Sequence, residues 1–209
     1  MWVELRHRDG TVSAIDGGFL RWPTTGCLGA AGILQELVGS SIATTRDELV
    51  AGGRARRHCT HLYDLALLAL AMAGRPAGDR VWDAVVPDAI DGRTIASIAL
   101  DGAEVVRWPL QGQVIVPAGD EPQSLLAGFT PWASARYSGD ALEGALILRM
   151  AAFTARARAH ITDDQPRPLR DFPERRGACH AYSPPQVDRA VHRLNVVSDF
   201  SDGVLEEPR

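Results

Sequence analysis

The chain contains no lysine, so every strongly basic side chain is an arginine. That excludes chemistry through a lysine Schiff base. Cysteine is scarce, with 3 in 209 residues, and an odd number cannot all pair within one chain. Aromatics make up 6% of the residues. Long apolar runs are missing too: the longest is Leu65–Ala73, well short of the ~18–20 residues of a membrane span. The start, Met1-Trp2-Val3-Glu4-Leu5-Arg6, lacks the apolar stretch of a signal peptide. No phosphate-binding Walker loop, dinucleotide fingerprint, Gly-x-Ser-x-Gly elbow or His-Glu-x-x-His helix is present. The net charge of -4 argues against a general binder of nucleic acid or anionic membrane. These absences predict a cytoplasmic protein with reduced thiols, whose cysteines serve a metal or a reaction rather than disulfides.

What the sequence does hold is an alternation of hairpins and helices. Trp2–Arg6, Asp9-Gly10 and Thr11–Ile15 read as strand, turn and strand. Pro23 and Gly26 break the chain, and a helix is expected from about Leu28 to Val38, stopped by Gly39. Residues 40–57 read as a short helix or loop ending in Arg54, Arg56 and Arg57. An apolar helix follows from about His61 to Ala73, with Thr60 as its N-cap. Strands are expected at Val81–Val86, Thr94–Leu100 and Val105–Val116, with turns at Asp91-Gly92 and Asp101-Gly102. A short helix is expected near Gln123–Gly128. A long helix to about Ala159 is then capped by Asp140, with Glu143 completing a capping box. Asp163–Arg176, polar and rich in proline, reads as a surface linker. Ser183-Pro184-Pro185-Gln186 reads as the start of a final helix, and the tail beyond Gly203 as loose.

The expected fold class is α+β, with antiparallel sheets packed against helices. The order hairpin, short helix, long apolar helix occurs twice, suggesting two diverged halves. The organisation expected is therefore a first half at 1–76, a second at 77–162, and a linker with C-terminal helix at 163–209.

The chemistry gathers at the cysteines. Cys27 lies in Thr-Gly-Cys-Leu-Gly, Cys59 in His58-Cys59-Thr60-His61, and Cys179 in Gly-Ala-Cys-His. Each precedes an expected helix start, where unpaired N–H groups stabilise a thiolate. Thiolates and imidazoles are the usual donors for zinc and iron–sulfur centres. The plain alternative is that each cysteine is a small buried hydrophobe and each histidine a surface residue. The spacing is not that of a compact zinc ribbon, so any shared site must be assembled from distant segments. Arg149 interrupts an apolar helix face. It could neutralise a buried carboxylate, bind an anionic substrate group, or snorkel to the surface. Tyr182, His160 and His192 are candidate acid–base groups. Trp22-Pro23, Trp108-Pro109 and Trp132 read as packing residues.

Two resemblances add to this reading. Arg21-Trp22-Pro23-Thr24-Thr25-Gly26-Cys27, Cys59-Thr60-His61-Leu62, Leu148-Arg149-Met150-Ala151, Gly177-Ala178-Cys179-His180 and Asp199-Phe200-Ser201 together resemble a bacterial family known only as a domain of unknown function. That resemblance covers most of the chain and implies a setting in the breakdown of aromatic or steroid-like compounds. It also implies an N-terminal strand ahead of this chain's start. Residues 1–75 are more loosely similar to the iron–sulfur cluster scaffold proteins. The shared features are Asp9-Gly10-Thr11-Val12, Gly26-Cys27, Leu37-Val38-Gly39 and His58-Cys59 before a Leu/Ala helix. The scaffold resemblance implies that Cys27, His58 and Cys59 hold zinc or a cluster. The scaffolds' middle cysteine has no counterpart here, and Cys179 is the substitute this sequence offers.

The leading expectation is a metal-binding protein with Cys27, Cys59 and Cys179 as thiolate ligands and His61 as fourth ligand, with His58 also in reach. The metal would be zinc or an iron–sulfur centre, with Arg149 orienting an anionic substrate group. Two other readings stay open. One is a metal-free enzyme with Cys59 as nucleophile or acid, acting on a small aromatic or CoA-linked acid. The other is a non-catalytic assembly or partner protein. A small-molecule acid or a protein is the expected partner, with no nucleic acid and no membrane.

Overall fold

A computed structural model describes residues 1–156 and 165–193. The fold is α+β, with two antiparallel sheets and helices packed on them. The chain divides into two units. The first is Met1–Ala77 joined by the described part of the C-terminal segment, and the second is Gly78–Ile161. Among the described residues no helix is long and apolar enough to cross a membrane.

The first unit opens with a hairpin of β1 (Trp2–Arg8) and β2 (Thr11–Gly18). Asp9 and Gly10 both take positive φ, 49° and 75°, as a two-residue hairpin turn requires. Val12 and Ile15 point inward from β2. They meet Leu34 and Leu37 of a 3-10 helix at Leu28–Leu37. The Gln35 side-chain amide donates to the Ile15 carbonyl and ties that helix to the strand. The region expected as helix or loop holds α1 (Arg46–Val50) and α2 (Arg54–Arg57). Thr45 and Glu48 form a capping box on α1.

Helix α3 (Thr60–Ala73) starts one residue earlier than the sequence suggested, so Cys59 and not Thr60 is the N-cap. Its buried face is Leu62, Tyr63, Ala66, Leu67 and Leu70, the spacing of one helical stripe. Fully burying one such side chain contributes roughly 1.5–3 kcal/mol. The Tyr63 hydroxyl donates to the Leu49 carbonyl at 2.7 Å, so its one polar atom is satisfied inside the core.

The C-terminal segment is not a surface linker. It runs as short 3-10 turns at Leu169–Asp171, Pro173–Arg175, His180–Tyr182 and Gln186–Asp188. Leu169 is fully buried, in one cluster with Cys27, Ala181, Tyr182, Val187 and Ala190. Main-chain bonds lace it to the stretch before Cys27: Thr25 N–H donates to the Val191 carbonyl, and Arg193 N–H to the Pro23 carbonyl. Gly26 makes this approach possible. A Cβ there would stand 3.0 Å from the Ala190 methyl and 3.3 Å from that of Ala181. The final helix expected from Ser183 is only the turn at Gln186–Asp188, preceded by a cis Pro184-Pro185 bond. His160, Asp199-Phe200-Ser201, the end of the long helix near Ala159 and the tail beyond Gly203 lie outside the described residues.

The second unit is a meander in the order β3 (Trp82–Val85), β4 (Arg93–Leu100), β5 (Ala103–Gln111), β6 (Val114–Ile115) and β7 (Gln123–Ser124). Asp91-Gly92 and Asp101-Gly102 turn with positive φ, as their sequence predicts. The short helix expected at Gln123–Gly128 is absent. Ser124 Oγ accepts from the Leu126 and Ala127 N–H groups, a local turn that competes with helix. Helix α4 (Phe129–Arg136) begins only after Gly128. Helix α5 (Gly139–Ala155) begins after Ser138. The expected Asp140–Glu143 box does not form. Asp140 pairs with Arg80 at 2.6 Å, and Glu143 is buried and accepts from Trp82 Nε1 at 3.2 Å. Among the described residues the two units thus differ in strand number, two against five.

Candidate functional site

Three separate stretches of the first unit carry its cysteines. Cys27 is positioned by a tight turn, in which its N–H donates to the Thr24 carbonyl and its own carbonyl accepts from Ala30 N–H. Its sulfur lies 3.1 Å from the Thr24 hydroxyl, and both side chains are buried. Cys59 sits at the N-cap of α3, ahead of the first-turn residues His61 and Leu62. Cys179 precedes the 3-10 turn His180–Tyr182, and its carbonyl accepts from Tyr182 N–H and from the Ser183 hydroxyl. All three thiols are free, Cys27 and Cys59 buried and Cys179 half-buried.

The three sulfurs lie within electrostatic reach of one another. Burial pushes the Cys27 thiol up in pKa, the Thr24 hydroxyl and main chain pull it back, and Cys179 pushes it up again. Burial raises the Cys59 thiol to about 11. The N–H groups of Leu62 and His61 oppose that rise, while Cys27 and Cys179 add to it. Ionising Cys27 is thus opposed by Cys179, and ionising Cys59 by both Cys27 and Cys179.

The site is braced by a second set of contacts. The Cys179 segment is joined to the Cys59 segment by the His180 N–H, which donates to the His58 carbonyl at 2.9 Å. The His58 ring is fully buried and stacked on Tyr63, with ring centroids 4.2 Å apart. His58 Nε2 meets Glu36 Oε1 at 2.8 Å. A carboxylate only accepts, so Nε2 carries the proton and donates. Burial works to raise the Glu36 carboxyl, but His58 and Arg57 outweigh it and hold it below the usual carboxylate range. Arg54 and Arg57 also reach Glu36, at 3.3 and 3.4 Å.

His61, the expected fourth ligand, lies in the first turn of α3. Burial lowers its pKa, opposed by the nearby Asp64, which is itself paired with Arg46. His180 received no role in the sequence reading. Burial lowers its pKa, the Arg57 main chain opposes that, and His58 lowers it further. Its Nε2 is buried with no hydrogen-bond partner, as is Nδ1 of His58. A buried polar atom left unpaired costs roughly 1–3 kcal/mol, so a native site that keeps two of them requires a reason.

Tyr182 joins the same neighbourhood. Its hydroxyl meets His192 Nε2 at 2.9 Å and accepts from Arg175 at 3.3 Å. Burial raises its pKa, Arg175 opposes, and Cys179 and Cys27 raise it further. The sequence named Tyr182 and His192 without placing them together. It named Thr24 only inside the motif that ends at Cys27, and it gave Glu36 and Arg175 no role. The one signal available for these was Thr24, three residues before Cys27 in a turn.

Arg149 belongs to the second unit. Its Nε donates to the Leu125 carbonyl at 2.6 Å, and its guanidinium lies 5.4 Å from the Phe129 ring centre. It pins the loop before α4 to α5, a role inside its own core that differs from the one expected of it. Among the described residues no three His, Cys, Asp or Glu side chains stand at the spacing of a formed metal site. An ion would have to draw the thiols together. No protein-family model, curated protein or solved structure matches the chain.

Proposed function

We propose that this chain is a cytoplasmic metal-binding protein in which Cys27, Cys59 and Cys179 are the thiolate ligands of zinc or an iron–sulfur centre. The observation that carries the reading is that three thiols from distant stretches of sequence fall in one unit, Cys27 and Cys179 in one packed cluster and Cys59 within their electrostatic influence. A divalent cation offsets the repulsion that opposes their joint ionisation. Zinc suits three sulfurs and one nitrogen, and metal uptake would displace the thiol protons. The scaffold-like placing of Cys27 after the hairpin and Cys59 before a helix supports the same reading. His58 is committed to Glu36 and braces the Cys59 segment in this reading. A thiol that stays protonated to about 11 is a poor nucleophile at neutral pH, which weighs against Cys59 as a metal-free catalyst.

The test is anaerobic purification followed by zinc, iron and sulfide analysis and a visible spectrum. About one metal or cluster per chain is expected, and Cys59→Ser should lose it. Folded, colourless wild-type protein that takes up neither zinc nor iron on reconstitution would sink the reading.

A further inference from the structure

We propose that the open face of the second unit's sheet is an interface between two copies of this chain, paired so that Arg93 of each copy meets the partner's Asp83. The proposal concerns the second unit alone and does not depend on what the thiols bind. One face of the sheet is filled: Ala96, Ile98, Val106, Trp108 and Ile115 join the buried cluster with Phe129 of α4 and Leu148 of α5. The register fixes what the other face carries, because directly opposed residues of antiparallel strands share a face. Ile95 stands opposite Pro109, Val85 opposite Ser97 and Asp83 opposite Ala99. The Val116 N–H donates to the Pro109 carbonyl, which sets Val116 beside Pro109. Ile95, Pro109 and Val116 thus form a row across the sheet, with Val85 on the neighbouring strand. Val85, Ile95 and Val116 are 56%, 50% and 43% exposed. An antiparallel sheet with one face in water ordinarily carries polar residues there. Here a band of that face is apolar, and contiguous apolar surface of this kind marks a binding surface.

The charges around the band identify the occupant. Arg107 and Glu104, on the same face, already pair with each other. Arg93, at the start of β4, donates through Nε to Gln111 Oε1 at 2.8 Å. Among the described residues no carboxylate pairs with its guanidinium, not even that of Asp91 in the adjoining turn. Asp83, beside the far end of β4, likewise has no cation partner among the described residues. Roughly 20 Å of strand separates Arg93 from the level of Asp83. A face with a free cation at one end, a free anion at the other and apolar residues between is its own complement. A two-fold axis lying in the interface, across the strands, exchanges the two ends. Apolar band then meets apolar band, and each Arg93 meets the partner's Asp83, twice in the dimer. The stacked sheets form a sandwich with the ordinary spacing of about 10 Å. An unrelated protein would need this pattern of charge by coincidence, whereas a second copy has it by construction.

The experiment is sedimentation velocity of the full chain over a concentration series, with circular dichroism as the check on folding. Wild type should show a monomer–dimer equilibrium. Ile95→Glu puts a charge into the middle of the band at a half-exposed position, so the fold should survive while association weakens about 10-fold or more. Arg93→Asp alone, or Asp83→Arg alone, brings like charges together at both ends and should weaken association by about 10-fold or more. The double variant Arg93→Asp/Asp83→Arg restores opposite charges and should recover the dimer. That recovery is specific to self-association, since only a second copy carries the matching substitutions. Wild type that stays monomeric at every concentration overturns the proposal, and so does a dimer indifferent to Ile95→Glu. Single reversals without effect, or a double variant that fails to recover, overturn the pairing of Arg93 with the partner's Asp83 and the two-fold arrangement with it. Monomeric wild type that binds an apolar dye, with binding lost in Ile95→Glu, would assign the face to a small apolar ligand instead.

Discussion

His180 donates its main-chain N–H to the carbonyl of His58 across 2.9 Å. Each of these residues is the immediate neighbour of a cysteine. One hydrogen bond therefore fixes the separation of the Cys59 and Cys179 segments without using either sulfur. The thiols remain available, and the frame around them does not depend on what they bind.

The Glu36–His58 contact should be part of that frame. Glu36→Ala leaves a fully buried imidazole N–H with no acceptor, and a loss of about 1–3 kcal/mol is expected in urea unfolding. The dependence on pH has a definite sign. Glu36 has a depressed pKa, so its contribution is complete above its ordinary value of 4.5 and is lost as pH falls through the lower folded value. The gap between wild type and Glu36→Ala should be constant above pH 4.5 and close below it. A gap that instead widened in acid would assign the effect to another group.

Cysteine alkylation should follow exposure and burial in metal-free protein. Cys179, half-buried, should react first with iodoacetamide. Cys59 should react slowly at pH 7, its rate still climbing tenfold per pH unit as far as the fold survives, because its thiol titrates near 11. Peptide mass spectrometry after timed quenching gives the order. Rapid, stoichiometric labelling of Cys59 at neutral pH would restore the reactive-thiol reading.

Leu169 separates a surface linker from a docked segment. The side chain is fully buried, so Leu169→Ala should cost roughly 2–5 kcal/mol. A substitution in an exposed linker stays within about 0.5 kcal/mol. Thermal and urea unfolding both read the difference.

Gly26→Ala probes the same docking from the other side. The new methyl would press on Ala190 and Ala181, whose methyl groups are fixed to the main chain and cannot swing away. Overpacking of this kind costs ~1–3 kcal/mol. Residues 165–193 should become cleavable by trypsin at arginines such as Arg175 and Arg189 before the rest of the unit. Unchanged protection would mean that the segment is held elsewhere.

The features read correctly from sequence were those decided locally. Asp9-Gly10, Asp91-Gly92 and Asp101-Gly102 specify turns through their own backbone preferences, and all three take positive φ. The apolar stripe of α3 likewise needs no knowledge of its partner. The errors arose where a distant group decides. Leu169 is a single apolar residue among prolines and arginines, and nothing nearby in sequence reveals that Cys27 and Ala190 enclose it. Asp140 and Glu143 satisfy the pattern of a capping box, yet Arg80 and Trp82, far back in the chain, take them. At the site, the cysteines announce themselves by residue type. Glu36 does not, because its meaning depends on the His58 ring, distant in the sequence.

The order of the three segments along the chain has a consequence for how the protein is made. Cys27 and Cys59 leave the ribosome before the second unit, and Cys179 follows it. Until then the His58 carbonyl has no His180 N–H to receive, and Gly26 has no Ala181 or Ala190 to approach. Chain order thus becomes assembly order. The nascent hairpin and helix present two thiols first, and the third joins their unit only after the second unit has been made.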